Sequence, residues 1–223
     1  MDIVPVINCD DFECVKSRLL KTWEIVDGPE KTVHIDISDG RYAAEPRWND
    51  SSSIASFLED EGLILNMAVH FMMEHPSSEM KKWIPFIGKA IIPADCLEDV
   101  RELASICREG NVMPCLSIPP SVSVEDVVGY ADDFQEFQIL AVDPGPSGQK
   151  MSEGTVEKIE LLRKKLPSAI IEIDGGVDPS TVPILRDAGA DIALSGSYIF
   201  RSADPRSAYI ELKEAAKNAP RNN

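Results

Sequence analysis

Two spacings of hydrophobic residues alternate along the chain. Short segments rich in valine and isoleucine carry polar residues at every second position, as β-strands do, and longer segments between them repeat apolar residues with helical spacing. The predicted strands are 3–8, 32–38, 65–72, 89–94, 111–118, 136–142, 169–174 and 191–196. The predicted helices are 10–26, 51–60, 77–86, 96–108, 123–131, 152–166, 179–188 and 205–219. Eight strand–helix units in 223 residues predict an α/β fold, a closed (β/α)8 TIM barrel.

Local signals support one helix and a single domain. Asp178 and Pro179 predict an N-cap followed by proline at the first helical position, and Gly189 predicts the end of that helix. No charge-rich linker, low-complexity block or long-period repeat separates the strands. We therefore expect residues 1–223 to form one barrel domain.

The charge balance limits the partners of the chain. With 22 basic and 38 acidic residues, the formal net charge is −16, which argues against binding to nucleic acid or to anionic membranes. No basic leader precedes the first apolar run, and no apolar stretch approaches the ~20 residues of a membrane span. An odd number of cysteines without CxxC spacing favours reduced thiols, and we expect a cytoplasmic protein. The cysteines are Cys9, Cys14, Cys96, Cys107 and Cys115.

The most informative stretch is the second predicted strand and the turn after it, 33–40. His34 and Asp36 are two residues apart on this strand, so their side chains point to the same face. Asp39 and Gly40 then provide turn residues, which places the pair near the carboxyl end of the strand. The simplest alternative is a hydrogen-bonded polar pair on a solvated strand face.

Side chains on two further strands favour a metal site over a simple hydrogen-bonded pair. His70 lies near the end of the third strand and Asp174 at the end of the seventh, and in a barrel these ends meet at one face. Two imidazoles and two carboxylates, those of His34, Asp36, His70 and Asp174, suit one divalent cation. Zn²⁺ is the first choice, and Mn²⁺, Fe²⁺ or Co²⁺ are alternatives. The third histidine, His75, is predicted to lie in a loop.

Three glycine-containing turns follow the late strands. They are Gly145 to Gly148, Gly175-Gly176 and Gly196-Ser197. Glycine lets backbone N–H groups approach an anion, and barrels often hold phosphate after strands seven and eight. Such a site would accept an anionic substrate without a basic patch, although glycine also ends strands for steric reasons alone.

A cation beside two carboxylates and a phosphate anchor favours proton abstraction next to a carbonyl. The cation would act as a Lewis acid, while one carboxylate removes a proton and the other returns one. If Asp36 and Asp174 lie on opposite sides of the bound sugar, the stereocentre inverts.

Several motifs in order resemble the ribulose-phosphate 3-epimerase family over nearly the whole chain. The stretch 33–40 resembles its H-x-D-x-M-D-G motif, 69–72 resembles V-H-L-M, and 142–150 resembles V-E-P-G-F-G-G-Q-K. The stretches 173–177 and 196–200 resemble V-D-G-G-[IV] and G-S-A-I-F. The resemblance implies a TIM barrel of the ribulose-phosphate binding type that interconverts D-ribulose 5-phosphate and D-xylulose 5-phosphate.

The resemblance also implies roles for individual residues. His34, Asp36, His70 and Asp174 would ligate the metal, with Asp36 and Asp174 as the acid–base pair. The substrate and its phosphate would contact a larger set of residues. These are Cys9, His70, Met72, Gly145, Ser147, Gly148, Gly175, Gly176, Gly196 and Ser197. The expected partner is a small sugar phosphate, and we expect a homo-oligomer of undefined subunit number.

Five positions depart from the family pattern. Cys9 replaces a substrate-contacting serine, Ser38 and Leu140 replace methionines, and Pro146 and Ser147 replace phenylalanine and glycine in the phosphate loop.

These departures leave the metal set intact and keep two alternatives open. One is an epimerase of a six-carbon substrate such as allulose 6-phosphate, and the other is a phosphate-binding relative without catalysis. Glu172 shares a face with Asp174 and, if it points inward, either supports a ligand histidine or is a costly buried acid.

Overall fold

A closed barrel of eight parallel strands forms the centre of the computed structural model, which describes residues 1–43 and 45–217. The first strand pairs with both the second and the last, which closes the sheet. A two-residue strand, absent from the prediction, pairs antiparallel with the end of the second strand. The strands are β1 (Asp2–Asn8), β2 (Thr32–Asp39), β3 (Pro46–Arg47), β4 (Asn66–Met72), β5 (Lys89–Pro93), β6 (Met113–Ile118), β7 (Glu136–Leu140), β8 (Ile170–Asp174) and β9 (Ile192–Ser195). The (β/α)8 prediction is therefore confirmed.

Helices cover the outside of the barrel. They are α1 (Phe12–Ile25), α2 (Ser51–Asp60), α3 (Ser77–Trp83), α4 (Val100–Glu109), α5 (Val124–Val127), α6 (Thr155–Lys165), α7 (Val182–Ala188), α8 (Ser197–Phe200) and α9 (Pro205–Lys217). Short 3₁₀ turns extend α3 and α5. The described part of α9 ends at Lys217, so the predicted residues 218 and 219 of this helix lie outside the described residues.

The predicted strand ends agree with the structure within two residues, whereas three helices, α4, α6 and α7, begin three or four residues later than predicted. Helix α7 begins at Val182 rather than at Pro179. The Asp178 carboxylate accepts hydrogen bonds from the amides of Ser180 and Thr181 at 2.8 and 3.1 Å, which holds a separate turn before the helix. Gly189, with φ of +113°, ends the helix as expected.

Helix α4 shows the same effect. The predicted helix 96–108 begins only at Val100, because the Asp99 carboxylate accepts a hydrogen bond from the Arg101 amide at 2.8 Å and acts as N-cap. The preceding segment, 94–97, forms a turn after β5. An aspartate capping signal therefore decides the start of the helix more strongly than the apolar spacing does.

The main hydrophobic core lies between the outward faces of the strands and the helices. Leu19 of α1, Ile35 of β2 and Phe71 of β4 are among its fully buried members. Because strand residues alternate, the other half of each strand points into the barrel. The interior therefore receives many of the polar residues that the strands carry.

Part of the interior, towards the amino ends of the strands, holds a buried ion cluster. Lys89 of β5 donates a hydrogen bond to Glu172 of β8 at 3.1 Å and also contacts Glu136 of β7. Cys115 of β6 contacts the other oxygen of Glu172 at 3.5 Å. Glu172 does point inward as a buried acid whose charge Lys89 compensates, and its oxygens contact Lys89 and Cys115 rather than a ligand histidine, so the expected support of a histidine is wrong.

Two of the five cysteines form a disulfide. Cys9, directly after β1, is bonded to Cys14 in the first turn of α1, and their Cα atoms lie 5.9 Å apart. The expectation of reduced thiols is therefore wrong for this pair, while Cys96, Cys107 and Cys115 are free.

Within the described ranges, none of the helices combines the length and apolarity needed to cross a bilayer.

The disulfide predicts a thiol count. We expect the denatured, unreduced protein to react with three equivalents of an alkylating reagent and the reduced protein with five. Reduction should lower the free energy of unfolding by about 2 kcal/mol, because the bond closes a short loop in the unfolded chain. The Cys14→Ser variant serves as control, since its stability should not respond to reductant. Five reactive thiols before reduction would contradict the disulfide.

Candidate active site

Four side chains converge at the carboxyl ends of the strands. His34 and Asp36 come from β2, His70 from β4 and Asp174 from β8, and one potential ligand atom of each lies within 4.8 Å of all the others. Strand register contributes directly, because Asp36 pairs with His70 on the neighbouring strand. The structure thus brings together all four residues that the sequence predicted to share a cation. His75 lies in the loop before α3, as expected.

Asp36 is the centre of this cluster. One of its carboxylate oxygens lies 3.1 Å from Nε2 of His34 and 3.4 Å from Nδ1 of His70. The other accepts a hydrogen bond from Nδ2 of Asn8 at 2.8 Å. Asn8 pairs with Asp36 in the register of β1 and β2, so this contact follows from the sheet itself.

The two imidazoles retain unused nitrogen atoms. Among the described residues, Nδ1 of His34 and both ring nitrogens of His70 are buried without a hydrogen-bond partner. Buried polar atoms are almost always satisfied in folded proteins, and an unpaired one is destabilising. A coordinated cation would provide a partner, and two nitrogens with two carboxylates match the preferences of Zn²⁺ and related ions. The donor set therefore fits a divalent metal.

The two carboxylates have opposite protonation preferences. Burial acts to raise the pKa of Asp36, but the hydrogen bond with His34 and the charge interactions with His34 and the nearby His70 outweigh it and hold this pKa well below its usual value. Burial and the negative charge of Asp36 raise the pKa of Asp174 to about 7. Near neutral pH and without a cation, Asp36 is ionised and Asp174 is about half protonated. Such divergence is typical of acid–base pairs.

A narrow cleft opens beside the cluster and is lined by the glycine turns. Its volume is about 60 Å³, small beside the several hundred Å³ that is usual for a ligand pocket, and loop 143–149 forms one of its walls. Every glycine and serine predicted to bind phosphate lines this cleft. The lining includes Met72, Leu140, Gly145, Ser147, Gly148, Gly175, Gly176, Gly196 and Ser197 together with Asp36 and Asp174.

Gly175 and Gly176 show why this turn requires glycine. Their φ angles are +106° and +66°, which side chains rarely adopt. A Cβ on Gly176 would lie 2.5 Å from the amide nitrogen of Met151, and one on Gly175 would lie 2.7 Å from the side chain of Val142. The backbone after β8 can therefore approach its neighbours closely only without side chains.

One predicted contact is not available. The sulfur of Cys9 is bonded to Cys14, and Cys9 is buried in the hydrophobic core outside the barrel, so it offers no thiol to a substrate. Asn8, one residue earlier, lines the cleft instead. The alternation of side chains along β1 contains this signal, because Val6 and Asn8 share a face and Cys9 lies on the other.

Two departures from the family pattern have visible contacts. Ser38 is buried, and its hydroxyl accepts a hydrogen bond from the Gly40 amide at 3.1 Å, so it stabilises the turn after β2. Ser147 accepts hydrogen bonds from Arg201 on both its carbonyl and its hydroxyl oxygen. The structure also places Arg18 of α1 in the cleft lining, a basic residue that the sequence did not predict for the site.

A closed α/β barrel with this cluster at the carboxyl ends of its strands defines the class of α/β-barrel enzymes. Residues 3–200 match the sequence model of the ribulose-phosphate 3 epimerase family, and the chain belongs to this family of carbohydrate epimerases. It is 30% identical over 177 residues to a ribulose-phosphate 3-epimerase of Chlamydia pneumoniae, covering 76% of each chain. It is 24% identical to the Bacillus subtilis enzyme of the same name, covering 95% of this chain and 97% of that one.

Solved structures with lower identity support the fold alone. A 3-keto-L-gulonate-6-phosphate decarboxylase from Vibrio cholerae superposes with a TM-score of 0.71 at 11% identity, covering 99% of both chains. A 3-hexulose-6-phosphate synthase superposes with a TM-score of 0.67 at 17% identity, covering 96% of this chain and 99% of that one.

The raised pKa of Asp174 predicts how metal binding depends on pH. A cation must displace the proton of this carboxyl and that of His34, whose pKa, despite burial, is also raised by Asp36, so affinity for Zn²⁺ should fall by at least about tenfold for each pH unit below 7. Isothermal titration calorimetry of the metal-free protein between pH 5.5 and 8 measures the affinity. Repeating it in buffers of different ionisation enthalpy counts the released protons. A constant affinity over this range would contradict the assignment.

Substitution of Gly176 tests the turn after β8. We expect Gly176→Ala to lower the free energy of unfolding by at least about 1 kcal/mol, because φ is positive and the new Cβ overlaps the backbone at Met151. Binding of inorganic phosphate should weaken in parallel. Gly129→Ala is the matched control, since nothing lies within 4 Å of its Cβ position. Equal stability of the two variants in urea denaturation would refute this role.

Proposed function

We propose that the chain is a metal-dependent sugar-phosphate 3-epimerase that interconverts D-ribulose 5-phosphate and D-xylulose 5-phosphate. The observation that carries the proposal is the convergence of two imidazoles and two carboxylates within 4.8 Å beside a glycine-lined cleft. Membership of the family supports the same reaction class. The pentulose substrate, the metal and the roles of single residues are part of the proposal.

His34, Asp36, His70 and Asp174 would hold one divalent ion, with Zn²⁺ preferred over Fe²⁺, Mn²⁺ or Co²⁺. The ion would supply Lewis acidity that stabilises negative charge developing on the substrate oxygens when the C3 proton leaves. Coordination also weakens a carboxylate as a base. The gain in substrate acidity must therefore exceed the loss of basicity at Asp36 and Asp174.

Proton transfer is assigned to the two carboxylates. Asp36, whose pKa is held low, is ionised and oriented by Asn8 and the histidines, so it accepts a proton without first losing one. Asp174, whose pKa is raised in the cation-free site, would take up a proton when the substrate binds and return it to C3. Removal on one face of C3 and return on the other inverts the stereocentre. The reverse reaction exchanges the two roles.

The glycine turns after β7, β8 and β9 would bind the phosphate through backbone N–H groups. In this arrangement the phosphate lies at the end of the cleft formed by Gly148, Gly176 and Ser197, and the reacting carbons lie beside Asp36 and Asp174. Loop 143–149 must move outward to admit the substrate and can then exclude water from the reacting carbons.

A six-carbon substrate is the main rival. Ser38 and Leu140, where the family pattern has methionine, alter the side chains around the site, and Leu140 lines the cleft directly. Comparing kcat/KM for D-ribulose 5-phosphate and D-allulose 6-phosphate with the same preparation decides between the two substrates. A chain that binds both and epimerises neither would be a phosphate-binding relative.

Two substitutions test the mechanism. Asp36→Asn and Asp174→Asn should each reduce turnover by at least about 10³-fold, because an amide neither accepts nor returns the proton. Exchange of the C3 hydrogen for deuterium, followed by proton NMR in D₂O, measures the reaction. Metal analysis of each variant separates loss of the ion from loss of the base.

Asp132→Asn is the matched control, because this aspartate is exposed and lies on the outer surface of the barrel. It should exchange deuterium at the wild-type rate. Near-normal exchange in either the Asp36 or the Asp174 variant would refute the two-carboxylate mechanism. Absence of exchange in the wild-type protein loaded with metal would refute the epimerase proposal itself.

A further inference from the structure

Two arginines approach the phosphate end of the cleft from helices rather than from strands. Arg18, on α1, lines the cleft, donates a hydrogen bond to the carbonyl of Asn8 at 2.9 Å and lies over the ring of Phe200 at 5.1 Å. Arg201, directly after α8, donates to the carbonyl oxygen of Ser147 at 3.2 Å. The guanidinium of Arg201 therefore lies beside the backbone of a glycine turn, and that of Arg18 lies beside the carboxyl end of β1.

Arg201 also fits closely against the phosphate loop. A Cβ at Gly148 would lie 2.8 Å from its Nη1 atom, so the glycine leaves the room that the guanidinium occupies. The hydroxyl of Ser147 adds a second acceptor at 3.4 Å. Ser147 occupies a position where the family pattern has glycine. Its hydroxyl makes a contact that glycine, which has no side chain, cannot make.

The charges of the two arginines are not balanced locally. Burial and the positive charge of Arg201 lower the pKa of Arg18, and Asp10 opposes this only in part. Among residues 1–43 and 45–217, neither guanidinium has a carboxylate within ion-pair distance, whereas Arg163 and Arg186 each pair with an aspartate. In a chain with a net charge of −16, two neighbouring unpaired cations at one cleft favour an anionic ligand.

We infer that Arg18 and Arg201 form a cationic subsite for the phosphate dianion of the substrate. Arg18 contacts the phosphate directly through its free N–H groups, and Arg201 is a positioning residue that holds Ser147 and Gly148 against it. This inference rests on the proposed function and deepens it. A guanidinium presents several donors in a fixed plane, so it distinguishes a phosphorylated sugar from the free sugar by charge and by geometry.

The subsite predicts that substitution of Arg18 weakens substrate binding and leaves the rate of the chemical step unchanged. Arg18→Gln should weaken binding of inorganic phosphate and raise KM by about tenfold or more, because a charge-assisted hydrogen bond is lost. Its kcat should stay within about twofold of wild type, since the phosphate does not react. Arg201→Gln should raise KM by a smaller factor, because it acts through Ser147. Calorimetry with inorganic phosphate and steady-state kinetics measure these effects.

Two further variants complete the test. Arg108→Gln removes the same charge from the outer helix α4 and should leave phosphate affinity and KM unchanged. Arg18→Lys keeps the charge and the stem over Phe200 but loses the planar fork, so its phosphate affinity should lie between those of wild type and Arg18→Gln. If Arg18→Gln does not fold, the lysine variant and Arg201→Gln carry the comparison.

The outcomes separate this inference from the proposed function. Phosphate affinity and KM within twofold of wild type in folded variants of both arginines would overturn the subsite, even if deuterium exchange proceeds normally. A wild-type protein that binds phosphate through Arg18 but exchanges no C3 hydrogen would leave the subsite in place and overturn the epimerase proposal. A kcat loss without a change in KM would also overturn the phosphate role of Arg18.

Discussion

The carboxylates of Asp36 and Asp174 meet in a site from which most water is excluded. This constraint organises the upper half of the barrel, which lies at the carboxyl ends of the strands. Asp36 and Asp174 lie within 4.8 Å of each other, measured between potential ligand atoms, and their repulsion helps to raise the pKa of Asp174 to about 7. Only added positive charge relieves the repulsion. His34, whose pKa is raised, supplies part of it, and both imidazoles keep buried nitrogens free for a cation that would supply the rest.

The lower half of the barrel, at the amino ends of the strands, compensates its buried carboxylates with a side chain of the protein. Glu136 and Glu172 are also buried carboxylates on strands β7 and β8, but Lys89 lies between them and provides the compensating charge from the protein itself. A metal there would compete with a covalently attached ammonium group. Among the described residues, no lysine or arginine forms an ion pair with the upper cluster, so a bound cation would have to supply the compensating charge there. This difference favours the upper cluster over the lower one as a cation site.

The sequence was most informative where strand geometry alone decides the position of a side chain. Period-two alternation placed His34 and Asp36 on one face, and barrel closure brought His70 and Asp174 to them. Residues that reach the site from helices escaped prediction: Arg18 and Arg201 have ordinary sequence surroundings, and their reach depends on how α1 and α8 pack. The disulfide between Cys9 and Cys14 spans a strand–helix turn whose geometry no spacing rule describes.

In the proposed reaction, one end of the cleft would bind the phosphate and the other would act on the reacting carbons. Contacts to a phosphate are equally strong in the ground state and the transition state, so they increase affinity without accelerating proton transfer. Groups beside the reacting carbons act on charge that appears only during the reaction, so they accelerate it. Under this proposal a chain of net charge −16 would place cations at both ends, to hold an anion and to stabilise the negative charge added during the reaction. Arginines suffice where the charge is permanent, whereas a Lewis acid is needed where the charge is transient.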